Sequence, residues 1–346
     1  MRKHWNNIKP ILFLYVGWLL LLILVQKIAP TLFSLQRDFL GPISWANFDG
    51  VHYLNIAKAG YRQYLEAFFP LYPMLIGNSG PIFALIISHI SFFIGLLFLK
   101  MIGEQKSLPL ILLFPTSFFF AAVYPESLYL GLAAGTLYAL SKQKWGLVGV
   151  LGMLASATKI FGVYLLIPAI LEYIPTKKKR ARDMIAIGLI PLGLVGFMVY
   201  LWRKMGDPLA FFHVQPIFGA NRSGGELIFL PQVLWRYIKI FITANPATFQ
   251  YSVAVLEFVA FVFSVYLLFV AWKKIRKPYF WYSLAVIITP TLTGTLSSFP
   301  RYLLAAFPLF FVINTFPKKI KYVFTVIFIL LFVYFASAFL RGYFVA

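Results

Sequence analysis

Cysteine is absent from all 346 residues. That excludes disulfides, thiolate-held zinc and a thiol nucleophile. Acid is also scarce: ten Asp and Glu stand against 31 Lys and Arg, for a formal net charge of +21. No HExxH pattern and no carboxylate pair at ligand spacing occurs, so nothing in the pattern argues for a metal centre. Charge of either sign makes up only 12% of the chain, while 61% is hydrophobic. Soluble domains sit near roughly 45–50% apolar and about 25% charged. A water-soluble core has no room for this much apolar surface.

Long apolar runs recur from one end of the chain to the other, so the bilayer is the solvent. The length alone would suggest two soluble domains, but runs spread this evenly read as one membrane unit over residues 1–346. The expected fold is all-α, a polytopic transmembrane bundle of about eleven spans. The candidate spans are 11–28, 81–101, 108–123, 127–141, 145–158, 160–174, 184–202, 250–272, 279–296, 302–316 and 322–340. The basic start MRKHWNNIKP leads into the first of these with no small-residue cleavage site after it. It is therefore expected to be a span and not a removable signal.

The basic residues sit in short clusters between the runs, and the positive-inside rule explains them. With the N-terminus inside and the spans counted alternately, 19 of the 31 Lys and Arg fall on the inner side in short loops. They include Arg2 and Lys3 at the start, the cluster at 177–182 and the cluster at 273–277. A nucleic-acid partner is not expected, because the charge is divided among these loops. The outer side then holds two long segments, 31–80 and 203–249, with short turns at 124–127, 158–159 and 297–302. Most of the ten acids lie there too, so polar chemistry is expected on the extracytoplasmic face of a plasma or inner membrane.

The first outer segment reads WANFDGVHYLNIAKAGY over 45–61. From Val51 onward, Asn55, Lys58 and Arg62 fall on one helical stripe and Leu54, Ala57 and Tyr61 on another, the pattern of an interfacial amphipathic helix. Asp49 precedes it. Two readings are open: Asp49 caps the helix, or it is a general base at the membrane surface with His52 one turn along. Glu126, at the tight outer turn YPES, is open to the same two readings. Gly131 and Gly135 form a GxxxG pair, a helix-packing face. Lys159 and Arg301 are lone cations between apolar runs. Such residues either snorkel to the interface or bind a ligand, and on the outer face a lipid phosphate would suit them. The second outer segment carries Asp207, His213, Gln215 and Arg222, then a basic aromatic run over 234–241 that reads as a second interfacial helix. The Asn221-Arg222-Ser223 sequon is treated as chance.

Taken together, these segments resemble the GT-C superfamily of glycosyltransferases that use lipid-linked sugars. More closely, the chain is similar to bacterial and archaeal relatives of the second GPI mannosyltransferase (the PIG-V-like family). Asp49-Gly50 with His52-Tyr53-Leu54, Ile56-Ala57 and Gly60-Tyr61 match that family's WDGxHYLxIAxxGY pattern. FFPLYP, PTSFFFAAVYPESLYL, DPLAFFHVQ and FPRYLL follow in the family's order, so the matches span residues 45 to 304. Phe48 stands where the family has Trp. Lys159 stands where Arg is expected, which keeps the charge but loses the planar fork.

The resemblance implies transfer of a hexose, usually mannose, from a polyprenyl-phosphate sugar to a glycan, lipid or protein acceptor outside the cytoplasm. It implies Asp49 as catalytic base. His52 and Glu126 are the further catalytic candidates, Arg301, Lys159 and Arg222 the donor-phosphate ligands, and Tyr53, His213 and Gln215 the substrate contacts. A phosphate leaving group needs charge stabilisation and no proton; the acceptor hydroxyl needs one base. Direct displacement inverts the anomeric carbon. No cofactor is expected beyond the lipid-linked donor as substrate, and catalysis is expected to be metal-independent. The rival readings are a transporter or flippase of lipid-linked intermediates, and a noncatalytic membrane subunit.

Overall fold

The computed structural model describes residues 2–38 and 40–346, with backbone alone for residues 2–7. The side chains of Arg2 and Lys3, counted in the inner basic set, lie outside the described residues. Among the described residues the chain is all-helical, apart from one isolated bridge between Ile228 and Thr293.

A continuous apolar helix, α1 (Arg2–Leu32), opens the chain. The first long connection folds α2 (Asp49–Ala59) and α3 (Leu71–Ile76) before α4 (Gly80–Met101). A central group follows: α5 (Leu108–Leu113), α6 (Glu126–Ser141), α7 (Trp145–Thr158) and α8 (Leu166–Tyr173). Two helices, α9 (Ala181–Gly188) and α10 (Leu192–Met205), meet at a 45° bend. The second long connection carries α11 (Ala210–His213) and α12 (Leu230–Thr243). The chain ends with α13 (Phe249–Lys274), α14 (Lys277–Thr291), the short α15 (Phe299–Leu303) and α16 (Phe310–Ile313), and α17 (Lys318–Leu340).

Among the described residues, four stretches are long and apolar enough to cross a membrane: Ile8–Leu32, Leu71–Met101, Phe249–Lys274 and Lys318–Leu340. The bent α9–α10 pair makes a fifth if it counts as one span. Phe13, Phe269 and Leu330 point outward from the long helices, the kind of apolar outer surface that lipid covers.

The other segments expected as spans are shorter or broken. Region 108–123 is α5, an extended break at Phe114 and a 3-10 turn at Ser117–Ala121. Region 160–174 is a 3-10 turn, Ile160–Leu165, leading into α8. Region 302–316 is divided among the end of α15, a turn at Phe307–Leu309 and α16. For 108–123 and 302–316 the physical reason is enclosure. Residues 114–130 and 303–313 are buried without interruption, and irregular backbone at membrane depth survives only where protein surrounds it. Hydropathy registers that these segments are apolar; it does not register whether lipid or protein covers them.

The glycine pair on α6 is a packing face, as its spacing suggests. A Cβ at Gly131 would lie 2.8 Å from the Ser91 carbonyl oxygen of α4, and one at Gly135 3.0 Å from the Phe98 ring. Several contacts join the loops at one end of the bundle. The Gln36 N–H, just past α1, donates to the Arg341 carbonyl just past α17 (2.8 Å), so α1 and α17 run parallel. The Val123 N–H donates to the Trp45 carbonyl (2.8 Å), and the Asn47 amide donates to the Phe339 carbonyl (2.9 Å). The segments that the charge pattern assigns to one side therefore meet at one end. Tyr53, Ile56, Phe68, Phe69 and Tyr72 pack there against Phe197 and Phe211, tying the two long connections together.

Candidate active site

Asp49 is the first residue of α2, and Phe48 occupies the cap position with no side-chain capping bond. Phe48 has φ 55°, a region that disfavours residues with a Cβ. It is held there by its neighbours. The Asn47 side-chain oxygen accepts from Gly41 N–H (3.0 Å), and the Asn47 carbonyl accepts from the Tyr124 hydroxyl (3.1 Å). Gly50 follows because α2 passes close to Val123: a Cβ there would sit 3.3 Å from the Val123 carbonyl oxygen. This clamped turn aims the Asp49 carboxylate inward. The capping reading is thereby corrected, because the Asp49 side chain is engaged across the fold and not by its own helix. Glu126 likewise opens α6 behind Pro125 with no capping bond.

Asp49 Oδ2 lies 2.5 Å from Arg301 Nη1, and Glu126 Oε1 lies 2.6 Å from Lys159 Nζ and 3.6 Å from Arg301 Nε. Two carboxylates and two cations thus form one buried chain, with side-chain exposures of 22% for Asp49, 10% for Arg301, 3% for Glu126 and 13% for Lys159. The Arg301 guanidinium also sits over the rings of Phe119, Tyr124 and Tyr302, at 5.5, 5.4 and 5.7 Å from their centroids. Electron-rich ring faces replace part of the water that a buried cation loses. Arg301 and Lys159, expected as phosphate ligands, are each paired with a carboxylate. The reason is the convergence of elements that lie far apart in sequence, which the local pattern around each cation does not contain.

Arg222 differs. Its Nη2 donates to the hydroxyls of Ser297 (3.2 Å) and Ser298 (3.1 Å), and among the described residues no carboxylate lies within ion-pair distance of it. The segment around Arg222 is stitched to the loop before α15. Ser223 N–H donates to the Thr293 carbonyl, Ile228 N–H to the Leu292 carbonyl, and Arg236 Nη1 to the Gly294 carbonyl, at 2.8, 3.0 and 2.6 Å.

These groups share one cavity of about 940 Å³. Asp49, His52, Tyr53, Glu126, Lys159, Gln215, Arg222 and Arg301 all line it, together with a mostly apolar wall that includes Leu65, Phe68, Phe161, Phe212, Phe218 and Phe344. No family model, curated protein or solved structure matches the chain. With His52 neutral, the cavity's ionic groups are Asp49 and Glu126 against Lys159, Arg222 and Arg301, a balance of +1. An amphiphile with one anionic group fits such a space: its apolar body lies on the aromatic wall and its anion meets the cations.

The remaining candidates are placed as follows. His52 lies against the Phe68 ring at 4.9 Å between centroids. Burial pushes its imidazole below the ordinary value, against the pull of Asp49, so the ring is neutral near pH 7 and able to accept a hydrogen bond. Tyr53 is buried, with its ring edge-on to Phe68 and Tyr72. Gln215 donates to the Phe211 carbonyl (3.0 Å) while lining the cavity. His213 is the correction: it is exposed and pairs with Asp207 at 2.6 Å, outside the cavity lining. That bond holds the Asp207 carboxyl below the usual range. Gln215 opens the 3-10 turn that follows α11 and faces the cavity, whereas His213, the last residue of α11, does not. Ser297, Ser298, Tyr302 and Phe344 were not singled out from the sequence. The serines stand just ahead of Arg301 in the short outer turn at 297–302, whereas nothing local marks Phe344.

Proposed function

We propose that this chain is a membrane glycosyltransferase of GT-C type. It moves a hexose, mannose foremost, from a polyprenyl-phosphate sugar to a glycan, lipid or protein acceptor, with inversion. The observation that carries the reading is the Asp49–Arg301 pair at one cavity wall, with Arg222 unpaired beside it and an apolar lining large enough for a lipid headgroup and the start of its chain. The acceptor hydroxyl oxygen attacks the anomeric carbon and Asp49 takes its proton. The bond between the anomeric carbon and the phosphate oxygen breaks, and its electron pair leaves on the lipid phosphate. That phosphate gains a negative charge, which Arg301, Arg222 and Lys159 stabilise. His52, Tyr53 and Gln215, which line the same cavity, contact the substrates. No cofactor takes part in this scheme.

The test is incubation of the purified protein with radiolabelled polyprenyl-phosphate hexoses and candidate acceptors. The expected result is labelled acceptor with inverted anomeric configuration. Donor that is bound and carried across a vesicle membrane with no transfer would overturn the reading in favour of a flippase. Failure to bind any polyprenyl phosphate would overturn both.

We place the cavity on the extracytoplasmic side of a plasma or inner membrane, with the N-terminus cytoplasmic and eleven membrane segments, several of them broken and enclosed. The alternating basic clusters support this orientation. The parallel run of α1 and α17 supports an odd number of crossings. A reporter fused after Ala346 is expected to signal from outside, and a cytoplasmic signal would overturn the odd count.

A further inference from the structure

Glu257 is the only acid within the four long apolar helices among the described residues. It belongs to α13, two turns from its start, and is 6% exposed. An acid at such depth is costly and calls for a partner, yet no cation lies within ion-pair distance of it among the described residues. Its two oxygens are spent on other groups. Oε2 accepts from the Tyr237 hydroxyl of α12 (2.6 Å), and Oε1 accepts from the backbone N–H of Ser298 (3.1 Å).

Ser298 is where the site's cations are set. It is a non-glycine residue at φ 65°, a left-handed conformation that costs energy unless its surroundings enforce it. It immediately precedes α15, and its carbonyl accepts from the N–H groups of Arg301 and Tyr302, both at 3.1 Å. Its hydroxyl accepts from Arg222 (3.1 Å). One residue therefore starts the helix that presents Arg301, anchors Arg222, and hangs by its N–H from Glu257.

We propose that Glu257 is a positioning residue. By accepting the Ser298 N–H and being fixed itself by Tyr237, it holds the 297–301 loop so that Arg222 and Arg301 converge on one anion in the cavity. An apolar residue at 257 would leave the Ser298 N–H buried and unpaired, and would remove one of the bonds that hold the left-handed turn.

The inference rests on the proposed function for its ligand, so the test has two arms. Both use the full chain in lipid nanodiscs. In the first, amide hydrogen exchange is read for residues 297–301 and, as a control, for α6. Glu257→Ala is expected to speed exchange at the loop and leave α6 unchanged. In the second, a short-chain polyprenyl phosphate is titrated as probe. Glu257→Ala is expected to weaken its binding at least about tenfold. Glu257→Gln, whose amide oxygen still accepts the Ser298 N–H, is expected to stay within about threefold of the parent. Tyr237→Phe, the milder variant if Glu257→Ala does not fold, is expected to lie between them. Unchanged loop exchange in Glu257→Ala overturns the proposal with or without a ligand. So does faster loop exchange with probe binding intact, which would make the tether merely structural. Parent protein that does not bind the probe sinks the functional reading instead, and the exchange arm then decides the tether alone.

Discussion

Asp49→Asn is expected to leave the protein folded and able to bind donor while slowing turnover about 10²–10⁴-fold, the usual worth of a positioned general base. Asn keeps the size of Asp and removes its capacity to take a proton. The side chain makes no capping bond to lose, so the fold loses only one partner of Arg301. Arg301 keeps Glu126 as its other partner, 3.6 Å from its Nε. Donor affinity should hold or tighten, because Nη1 is released from the carboxylate that now occupies it at 2.5 Å. Single-turnover rates, donor titration and thermal unfolding of the same preparation check the three parts. Turnover within a few-fold of the parent would move the base elsewhere. Glu126→Gln, measured in parallel, identifies the other carboxylate of the network; if Asp49 is the base, that variant should lose phosphate-site geometry more than the chemical step.

Arg301→Ala is expected to do the most damage, because it acts on both stability and binding. Removing one partner of a buried ionic network leaves the other charges unpaired, at a cost of about 3–5 kcal/mol. Here two carboxylates, Asp49 and Glu126, would lose the same cation. Three aromatic faces would also lose the group they surround. Donor affinity should fall strongly, because the leaving phosphate loses its planar two-pronged ligand. Arg301→Lys is expected to recover little. One ammonium cannot reach Asp49 through Nη1 and Glu126 through Nε at once, as the guanidinium does. The checks are the unfolding midpoint and donor titration. A variant that unfolds like the parent and binds donor as tightly would remove Arg301 from both roles.

Both predictions bear on how the site works as a unit. In the proposed mechanism the Asp49 base and the Arg301 cation start out paired with each other. A phosphate entering beside Arg222 competes for Arg301, and as it succeeds it frees the Asp49 carboxylate for the acceptor hydroxyl. On this proposal, donor binding and readiness of the base are linked through one side chain. Kinetics should then show donor binding before acceptor.

Much of this was legible in the residues alone. Composition and the apolar runs determined an all-helical membrane protein, because no other solvent accommodates that surface. The alternation of basic clusters carries the proposal of which loops share a side, because a span reverses direction each time it crosses. Eight of the nine nominated site residues meet in one cavity, since polar groups in so apolar a chain have few places to go. Other features were decided only by tertiary structure. Whether an apolar run is lipid-facing or enclosed depends on its neighbours, so 108–123 and 302–316 break where hydropathy alone gives continuous spans. The pairing of Asp49 with Arg301 joins residues separated by 252 positions, and Glu257 reaches Ser298 across 41. Local pattern reports what a residue is and which face of its own helix it occupies. Which opposite charge it meets is set by helix packing, where a shift of one turn, about 5.4 Å, makes or breaks an ion pair.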